Sequence, residues 1–134
     1  MADLLPNIIR AVQGAGYKQV VWQCDPMHGN TTTSDSGLKT RAFDNILGEL
    51  LTTFRIHREQ GSWLGGVHFE MTGDAVTECT GGAGNLSSSE LSSNYQTYCD
   101  PRLNYDQSLE MAFLIAKHLI KAREPSTPKG PAGY

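Results

Sequence analysis

Residues 20–34 read VVWQCDPMHGNTTTS, and this stretch passes from a strand-like segment into a polar loop within a few positions. Its first part is apolar and β-branched, which favours a short buried strand. The strand-like part ends at Asp25-Pro26, and an imidazole at His28 and three threonine hydroxyls follow at once. Buried strands normally end in simple turn residues, so packing alone does not account for this composition. The loop after this strand is therefore a candidate functional segment.

Three segments of the chain show the apolar periodicity of amphipathic helices. They cover residues 3–13, 42–60 and 103–124. Asp3 is the candidate N-cap of the first helix, and Gly61 follows the second helix as its stop signal. Asn104 and Gln107 have the spacing of a capping box at the start of the third helix. The apolar face of the third helix is predicted to consist of Leu109, Ala112, Phe113, Ala116 and Leu119.

Strand-like segments alternate with these helices along the chain. The predicted strands cover residues 16–26, 65–73 and, with a weaker pattern, 95–101, while residues 80–94 read as a loop. Strands that alternate with helices favour parallel pairing through right-handed crossovers. The sequence therefore predicts an α/β fold with a parallel sheet.

Length and composition limit the class of protein. The 134 residues suit one domain, and a 39% hydrophobic content is typical of a folded globular protein. A net charge of −3 with scattered basic residues gives no electrostatic case for nucleic acid. The sequence contains neither a membrane-spanning apolar run nor a secretory signal pattern. Cys24, Cys79 and Cys99 show no pairing pattern, which predicts reduced, inert packing thiols in a cytoplasmic protein. Residues 123–134 are rich in Pro and Gly, which predicts a disordered tail.

Titratable side chains follow each of the three predicted strands. The set comprises Asp25 and His28 after the first, His68, Glu70 and Asp74 in and after the second, and Asp100 and Arg102 after the third. Because the carboxyl ends of parallel strands meet at one edge, we expect these side chains to share a rim. An imidazole with two carboxylates suits a divalent cation such as Mn²⁺, Fe²⁺, Co²⁺ or Mg²⁺. Such a cation can polarise a carbonyl as a Lewis acid.

Simpler interpretations of the acids and histidines stand beside the metal hypothesis. Asp25 and Asp100 each precede a proline and suit turn starts, and His28 suits a solvated loop. Glu70 lies in an apolar segment, where an unpaired charge is costly, so it requires a partner. His68, two residues earlier, suits either a second layer around the site or a satisfied core histidine.

Two basic residues precede the second predicted helix. Lys39 and Arg41 could hold a phosphate beside the free amides of that helix. The alternative is a solvated basic pair.

The motifs as a set resemble a known family. They are CDPMHGNT (24–31), GLKTR (37–41), GGVHFEMTGD (65–74) with VTEC (76–79), and CDPRLN (99–104) with QSLE (107–110). In this order they resemble the type II 3-deoxy-D-arabino-heptulosonate 7-phosphate (DAHP) synthases, and the resemblance covers about residues 4–122. Members of that family are metal-dependent transferases with a (β/α)8 TIM barrel. They condense phosphoenolpyruvate with D-erythrose 4-phosphate and water, release phosphate, and open the shikimate pathway to aromatic amino acids.

The resemblance implies roles for individual residues of this chain. It implies that His28, Glu70 and Asp100 are three ligands of the divalent metal, with Mn²⁺ favoured and Co²⁺ or Mg²⁺ possible. It implies that His28 also lies against phosphoenolpyruvate as a catalytic residue. Lys39 matches a lysine suited to binding a substrate phosphate, and Arg41 belongs to the same substrate-binding motif.

The resemblance is confined to the C-terminal portion of the family, about the last three β/α units. A fourth ligand, a cysteine, and much of the phosphoenolpyruvate pocket belong to segments outside this sequence. Residues 1–122 are therefore expected to form a partial barrel domain. Because open sheet edges invite pairing, we expect the chain to need the missing barrel half or oligomerisation and to have little activity alone. The alternatives are a non-catalytic module that docks with a full-length relative, and a metal-binding domain with simpler chemistry on a phosphorylated molecule.

Overall fold

Among the residues that the structure describes, the regular elements are three α-helices, four short strands and two short 3-10 helices. The structure is a computed structural model, and it describes residues 3–17 and 19–123. The elements are α1 (Leu5–Gly14), β1 (Trp22–Cys24), β2 (Thr32–Thr33), β3 (Lys39–Thr40), α2 (Phe43–Glu59), β4 (Leu64–Val67) and α3 (Tyr105–Arg123). Short 3-10 helices cover His28–Asn30 and Ser88–Ser93.

The central pairing is parallel, as the alternation of helices and strands predicts. β1 pairs with β4, with Trp22 opposite Leu64 and Cys24 opposite Val67, and α2 lies between the two strands in sequence. An isolated parallel bridge between Met71 and Leu103 continues the same arrangement further along the chain. The prediction of an α/β fold with parallel strands is confirmed at this level.

The strands are shorter than predicted, and one is missing. β1 covers only part of the predicted segment 16–26, and β4 begins one residue before the predicted segment 65–73 and ends at Val67. β2 pairs with β3 in an antiparallel hairpin that was not predicted. Within the described residues, 95–101 form no strand. The prediction of a strand there was wrong because the amides of Gln96 and Thr97 donate to the Glu78 carboxylate instead of to a neighbouring strand.

Two of the three predicted helix ends agree with the structure, and one does not. Asn104 and Gln107 form the predicted capping box, with each backbone amide donating to the other's side-chain oxygen at 3.1 and 2.9 Å. α2 ends just before Gly61, whose φ of +61° suits a glycine stop. The prediction for Asp3 was wrong, because Leu4 occupies the N-cap of α1 without a side-chain cap.

The core lies between α2, α3 and the parallel strands. Its buried members are Cys24, Met27, Phe43, Ile46, Leu50, Leu64, Cys79, Leu103 and Met111. The predicted apolar face of α3 was wrong, since Leu109 and Phe113 are exposed and the helix packs through Met111 instead. The helix is thus rotated about its axis relative to the prediction. Gln107 explains this rotation, because its buried side-chain amide donates to the carbonyls of Cys79 and Gly81.

Two further predictions concern membrane-spanning helices and the C-terminal tail. Among the described residues, no helix is both long and apolar enough to cross a bilayer. Of the predicted tail at residues 123–134, Arg123 is the last residue of α3, and the remainder lies outside the described residues.

Candidate functional site

The loop after β1 holds the His28 ring through Asp25. One Asp25 oxygen accepts hydrogen bonds from the amides of Met27 and His28 at 2.9 and 3.1 Å, and the other lies 2.6 Å from His28 Nδ1. Burial alone would raise the pKa of Asp25, but the amide bonds and His28 lower the pKa overall. Asp25 is therefore both a turn residue and the orienting partner of His28.

Glu70 lies on the other side of the His28 ring. His28 Nε2 is 3.6 Å from Glu70 Oε1, while Glu70 Oε2 forms a short ion pair with Arg41 Nη1. The expected partner for this acid therefore exists. The His68 ring stacks on His28, with 5.9 Å between ring centroids, and is exposed, so the interpretation of His68 as a core histidine was wrong.

Arg41, the ion-pair partner of Glu70, is fully buried. Besides Glu70, it donates to the Pro101 carbonyl at 2.6 Å and to the Thr31 hydroxyl at 2.8 Å. Its Nη2 atom is buried without a hydrogen-bond partner among the residues that the structure describes. The interpretation of Arg41 as a solvated residue was wrong, and its guanidinium retains an unused donor inside the site.

Asp100 completes the group. Its carboxylate lies 3.2 Å from Lys39 Nζ, and the Lys39 side chain is 56% exposed. His28, Glu70 and Asp100 each offer one ligand atom, and these atoms lie within 4.8 Å of one another. The structure thus brings together the three side chains that the sequence places at separate strand ends.

The donor set of this cluster fits a divalent cation. One imidazole nitrogen and two carboxylate oxygens match the preference of Mn²⁺ and similar ions, and they leave coordination positions for other oxygens. Asp25, His28 and His68 form a second group within the same spacing, but all three are exposed. Asp25 already accepts two amide hydrogen bonds, so the group with Glu70 and Asp100 is the better candidate.

The helix-terminus interpretation of the basic pair finds less support in the geometry. The first amide of α2, at Phe43, donates to the Thr80 carbonyl at 2.9 Å and is not free for a phosphate. Arg41 faces Glu70, which leaves Lys39 as the exposed cation beside the cluster.

Two residues predicted for the rim lie elsewhere, and one residue was missed. Asp74 contacts the Thr72 hydroxyl at 3.1 Å and belongs to neither cluster. Arg102 forms a two-pronged ion pair with Glu78, which the sequence analysis did not single out. Burial alone would raise the pKa of Glu78, but its bonds from Arg102 lower the pKa overall. The available signal was weak, an acid next to Cys79 and two residues after Val76 in VTEC, because Thr77 interrupts the apolar pattern that singled out Glu70.

The cysteines take no part in the cluster. Cys24 and Cys79 are buried, as predicted for packing thiols, and burial raises the pKa of Cys79 to about 12. Cys99 is exposed, so its interpretation as a packing residue was wrong.

Comparison with known proteins agrees with the motifs. The sequence model of the Class-II DAHP synthetase family matches residues 1–116. A phospho-2-dehydro-3-deoxyheptonate aldolase of Neurospora crassa is 55% identical over 125 residues, which are 92% of this chain and 26% of that protein. Phospho-2-dehydro-3-deoxyheptonate aldolase AroG of Mycolicibacterium smegmatis is 56% identical over 117 residues, which are 87% of this chain and 25% of that protein. The chain spans about a quarter of the length of these relatives, and it belongs to the Class-II DAHP synthetase family.

Proposed function

We propose that this chain contributes a metal-binding and substrate-binding rim to a DAHP synthase. The reaction proposed for the whole enzyme joins phosphoenolpyruvate to D-erythrose 4-phosphate, consumes water and releases phosphate. The observation that carries the proposal is the meeting of His28, Glu70 and Asp100, with ligand atoms within 4.8 Å of one another. Both relatives are named as phospho-2-dehydro-3-deoxyheptonate aldolases, which supports the same activity.

In this proposal the three clustered side chains hold a divalent cation, with Mn²⁺ as the first choice. A cation bound there would supply Lewis-acid polarisation of a substrate carbonyl. Asp25 fixes the orientation of the His28 ring through the Nδ1 contact, which leaves Nε2 facing the cluster. Arg41 holds the Glu70 side chain in place, because its buried guanidinium forms an ion pair with one of the two carboxylate oxygens.

The substrate-binding roles fall to the two basic residues. Lys39 is exposed next to Asp100, so its ammonium group can pair with a phosphate on the open side of the cluster. Arg41 has an unused donor at Nη2 for an oxygen that enters the site. His28 is half exposed and can contact phosphoenolpyruvate directly.

We further propose that β1, α2 and β4 are part of a (β/α)8 barrel, with residues 1–122 as its partial domain. The two-stranded parallel sheet and several exposed apolar side chains support this, since parallel sheets are normally covered. These side chains include Ile8, Val21, Trp63, Phe113 and Ile120. Further barrel strands, or another subunit, would cover them and complete the substrate pocket. The same exposed residues would suit a module that docks with a longer relative.

Manganese titration of the 134-residue chain, followed by the electron paramagnetic resonance signal of free Mn²⁺, tests the metal site. Asp100→Asn is expected to weaken binding by more than about 10-fold, since even outer-shell changes cost that much. Asp106→Asn, an exposed acid in the first turn of α3, serves as the matched control and is expected to leave binding unchanged. Equal affinity in the native chain and both variants would refute the proposed site.

A synthase assay on the same samples tests the barrel proposal, because turnover by these residues alone would contradict the need for further strands.

A further inference from the structure

We propose that Glu78 is a positioning residue, which with Arg102 holds the loop over residues 95–102 so that Asp100 lies at the metal cluster. The inference rests on the proposed function, since it concerns the delivery of one proposed ligand. Glu78 itself does not belong to the cluster.

The Glu78 carboxylate binds both ends of this loop. Its Oε1 atom accepts hydrogen bonds from the amides of Gln96 and Thr97 at 3.2 and 2.9 Å and from Arg102 Nη2 at 2.6 Å. Its Oε2 atom accepts from the amide and the Nε of Arg102, each at 2.9 Å. Glu78 is fully buried, so these bonds are shielded from water. The carboxylate therefore takes the place of a neighbouring strand for this loop.

The anchored ends pass their order on to Asp100. The Thr97 hydroxyl donates to the Asp100 carbonyl at 2.9 Å and accepts from the Cys99 amide at 3.2 Å. The carbonyl of the next residue, Pro101, accepts from Arg41. The backbone on both sides of the Asp100 side chain is thus fixed by the Glu78 anchor and by Arg41.

The main chain at Glu78 is also tied to the segment that carries the basic residues. The Glu78 carbonyl accepts from the Thr40 hydroxyl at 2.9 Å, and the Thr80 amide donates to the Arg41 carbonyl at 2.9 Å. Thr40 lies between Lys39 and Arg41 in sequence. Residue 78 thus contacts the Asp100 loop through its side chain and the segment over residues 39–41 through its main chain.

A buried ion pair is weak support for stability, because an apolar pair of similar volume often stabilises as well. Its specific contribution here is geometric, since an apolar residue at position 78 would leave the loop amides without acceptors. We therefore expect loss of Glu78 to affect metal affinity beyond any effect on folding.

The test compares Mn²⁺ affinity and amide hydrogen exchange in the full 134-residue chain. In Glu78→Gln, one oxygen becomes an NH2 group that faces the donors of Arg102. We expect this variant to bind Mn²⁺ about 10- to 100-fold more weakly and to exchange amides faster over residues 95–102. Ile46→Ala is the matched control, because it removes a fully buried α2 side chain far from this loop in sequence. It is expected to lower the urea midpoint without weakening Mn²⁺ binding by the folded protein.

Arg102→Lys keeps the test decisive if Glu78→Gln fails to fold. This variant retains the charge but loses the two-pronged geometry, so we expect a smaller loss of Mn²⁺ affinity in the same direction. If Asp100→Asn weakens binding but Glu78→Gln and Arg102→Lys do not, the inference is wrong while the proposed function stands. If the native chain binds no Mn²⁺, the proposed metal site is wrong, and the amide exchange rates alone test whether Glu78 orders the loop over residues 95–102. Unchanged exchange over residues 95–102 in Glu78→Gln would then overturn the role of Glu78, and faster exchange would support it.

Discussion

Replacing Arg41 with methionine would test whether the buried guanidinium holds the site together. Methionine has a similar length and fits an apolar environment, but it provides no charge and no donor. The substitution removes the donors to Glu70, to the Pro101 carbonyl and to the Thr31 hydroxyl. We expect Arg41→Met to destabilise the protein substantially.

The magnitude follows from what each acceptor loses. The Pro101 carbonyl is bonded to Arg41 in a buried position, and an unsatisfied buried acceptor costs about 1–3 kcal/mol. Glu70 loses its partner, but its side chain is 25% exposed, so its cost stays below the ~3–5 kcal/mol of a fully buried broken pair. Thr31 is only partly buried and adds little, and removal of the unpaired Nη2 atom offsets part of the loss. The expected net loss in the free energy of unfolding is about 3 kcal/mol.

Urea unfolding followed by circular dichroism measures this loss. With a slope of about 2 kcal/mol per M, the midpoint should fall by about 1.5 M. Arg55→Met is the matched control, since Arg55 pairs with Glu59 one helical turn away and both side chains are about half exposed. Such a pair contributes about 0.5 kcal/mol or less. The double variant Arg41→Met/Glu70→Gln should recover part of the loss, because no carboxylate charge remains unpaired. A midpoint for Arg41→Met no lower than that of Arg55→Met would refute the reasoning.

Three further outcomes follow from individual side chains. Folding lowers the pKa of Glu78, so the Glu78 carboxylate contributes to stability above its ordinary pKa of 4.5, and this contribution is lost as pH falls through the folded value. The urea midpoints of the native chain and Glu78→Gln should therefore converge below pH 4.5. A gap between the two midpoints that stays constant with pH would contradict this. Thiol titration with Ellman's reagent should label exposed Cys99 in the native protein but Cys79 only in denaturant, since burial raises the pKa of Cys79 to about 12. Asp25→Asn should weaken Mn²⁺ binding by about 10-fold by releasing the His28 ring, and an unchanged affinity in the same titration would show that the ring needs no carboxylate partner.

The parts of the fold that the sequence predicted well are those governed by near neighbours. The capping box depends on Asn104 and Gln107, which are three positions apart, and α2 ends beside Gly61, whose positive φ suits a glycine. Local rules failed where a distant side chain intervened. Residues 95–101 have strand-like composition, but Glu78, 18 and 19 positions before the bonded amides, binds them in a loop.

The candidate site shows the same division. Position after predicted strands was enough to nominate His28, Glu70 and Asp100, and the three side chains do meet. For Asp100 the stated reason was wrong, because residues 95–101 form a loop bound to Glu78 and not a strand. Burial of Arg41 could not be predicted from its neighbours in the chain, since its contacts with Glu70 and Pro101 span 29 and 60 positions. The prediction that Arg102 lies at the rim was wrong for the same reason. Its partner Glu78 is 24 residues away in sequence, so the ion pair could not be predicted from neighbouring residues.

By itself, the sequence determined the family, the presence of the three helices and the chemical types that meet at the candidate site. Periodicity, caps and long motifs are properties of residues close together in the chain, so they can be read without coordinates. The tertiary structure alone decided how α3 is rotated, because that depends on the buried contacts of Gln107 with the Cys79 and Gly81 carbonyls. It also decided which cations pair with which acids. Buried charges take whichever partner the packed chain brings within a few ångströms, and that distance is set only when the whole fold is in place.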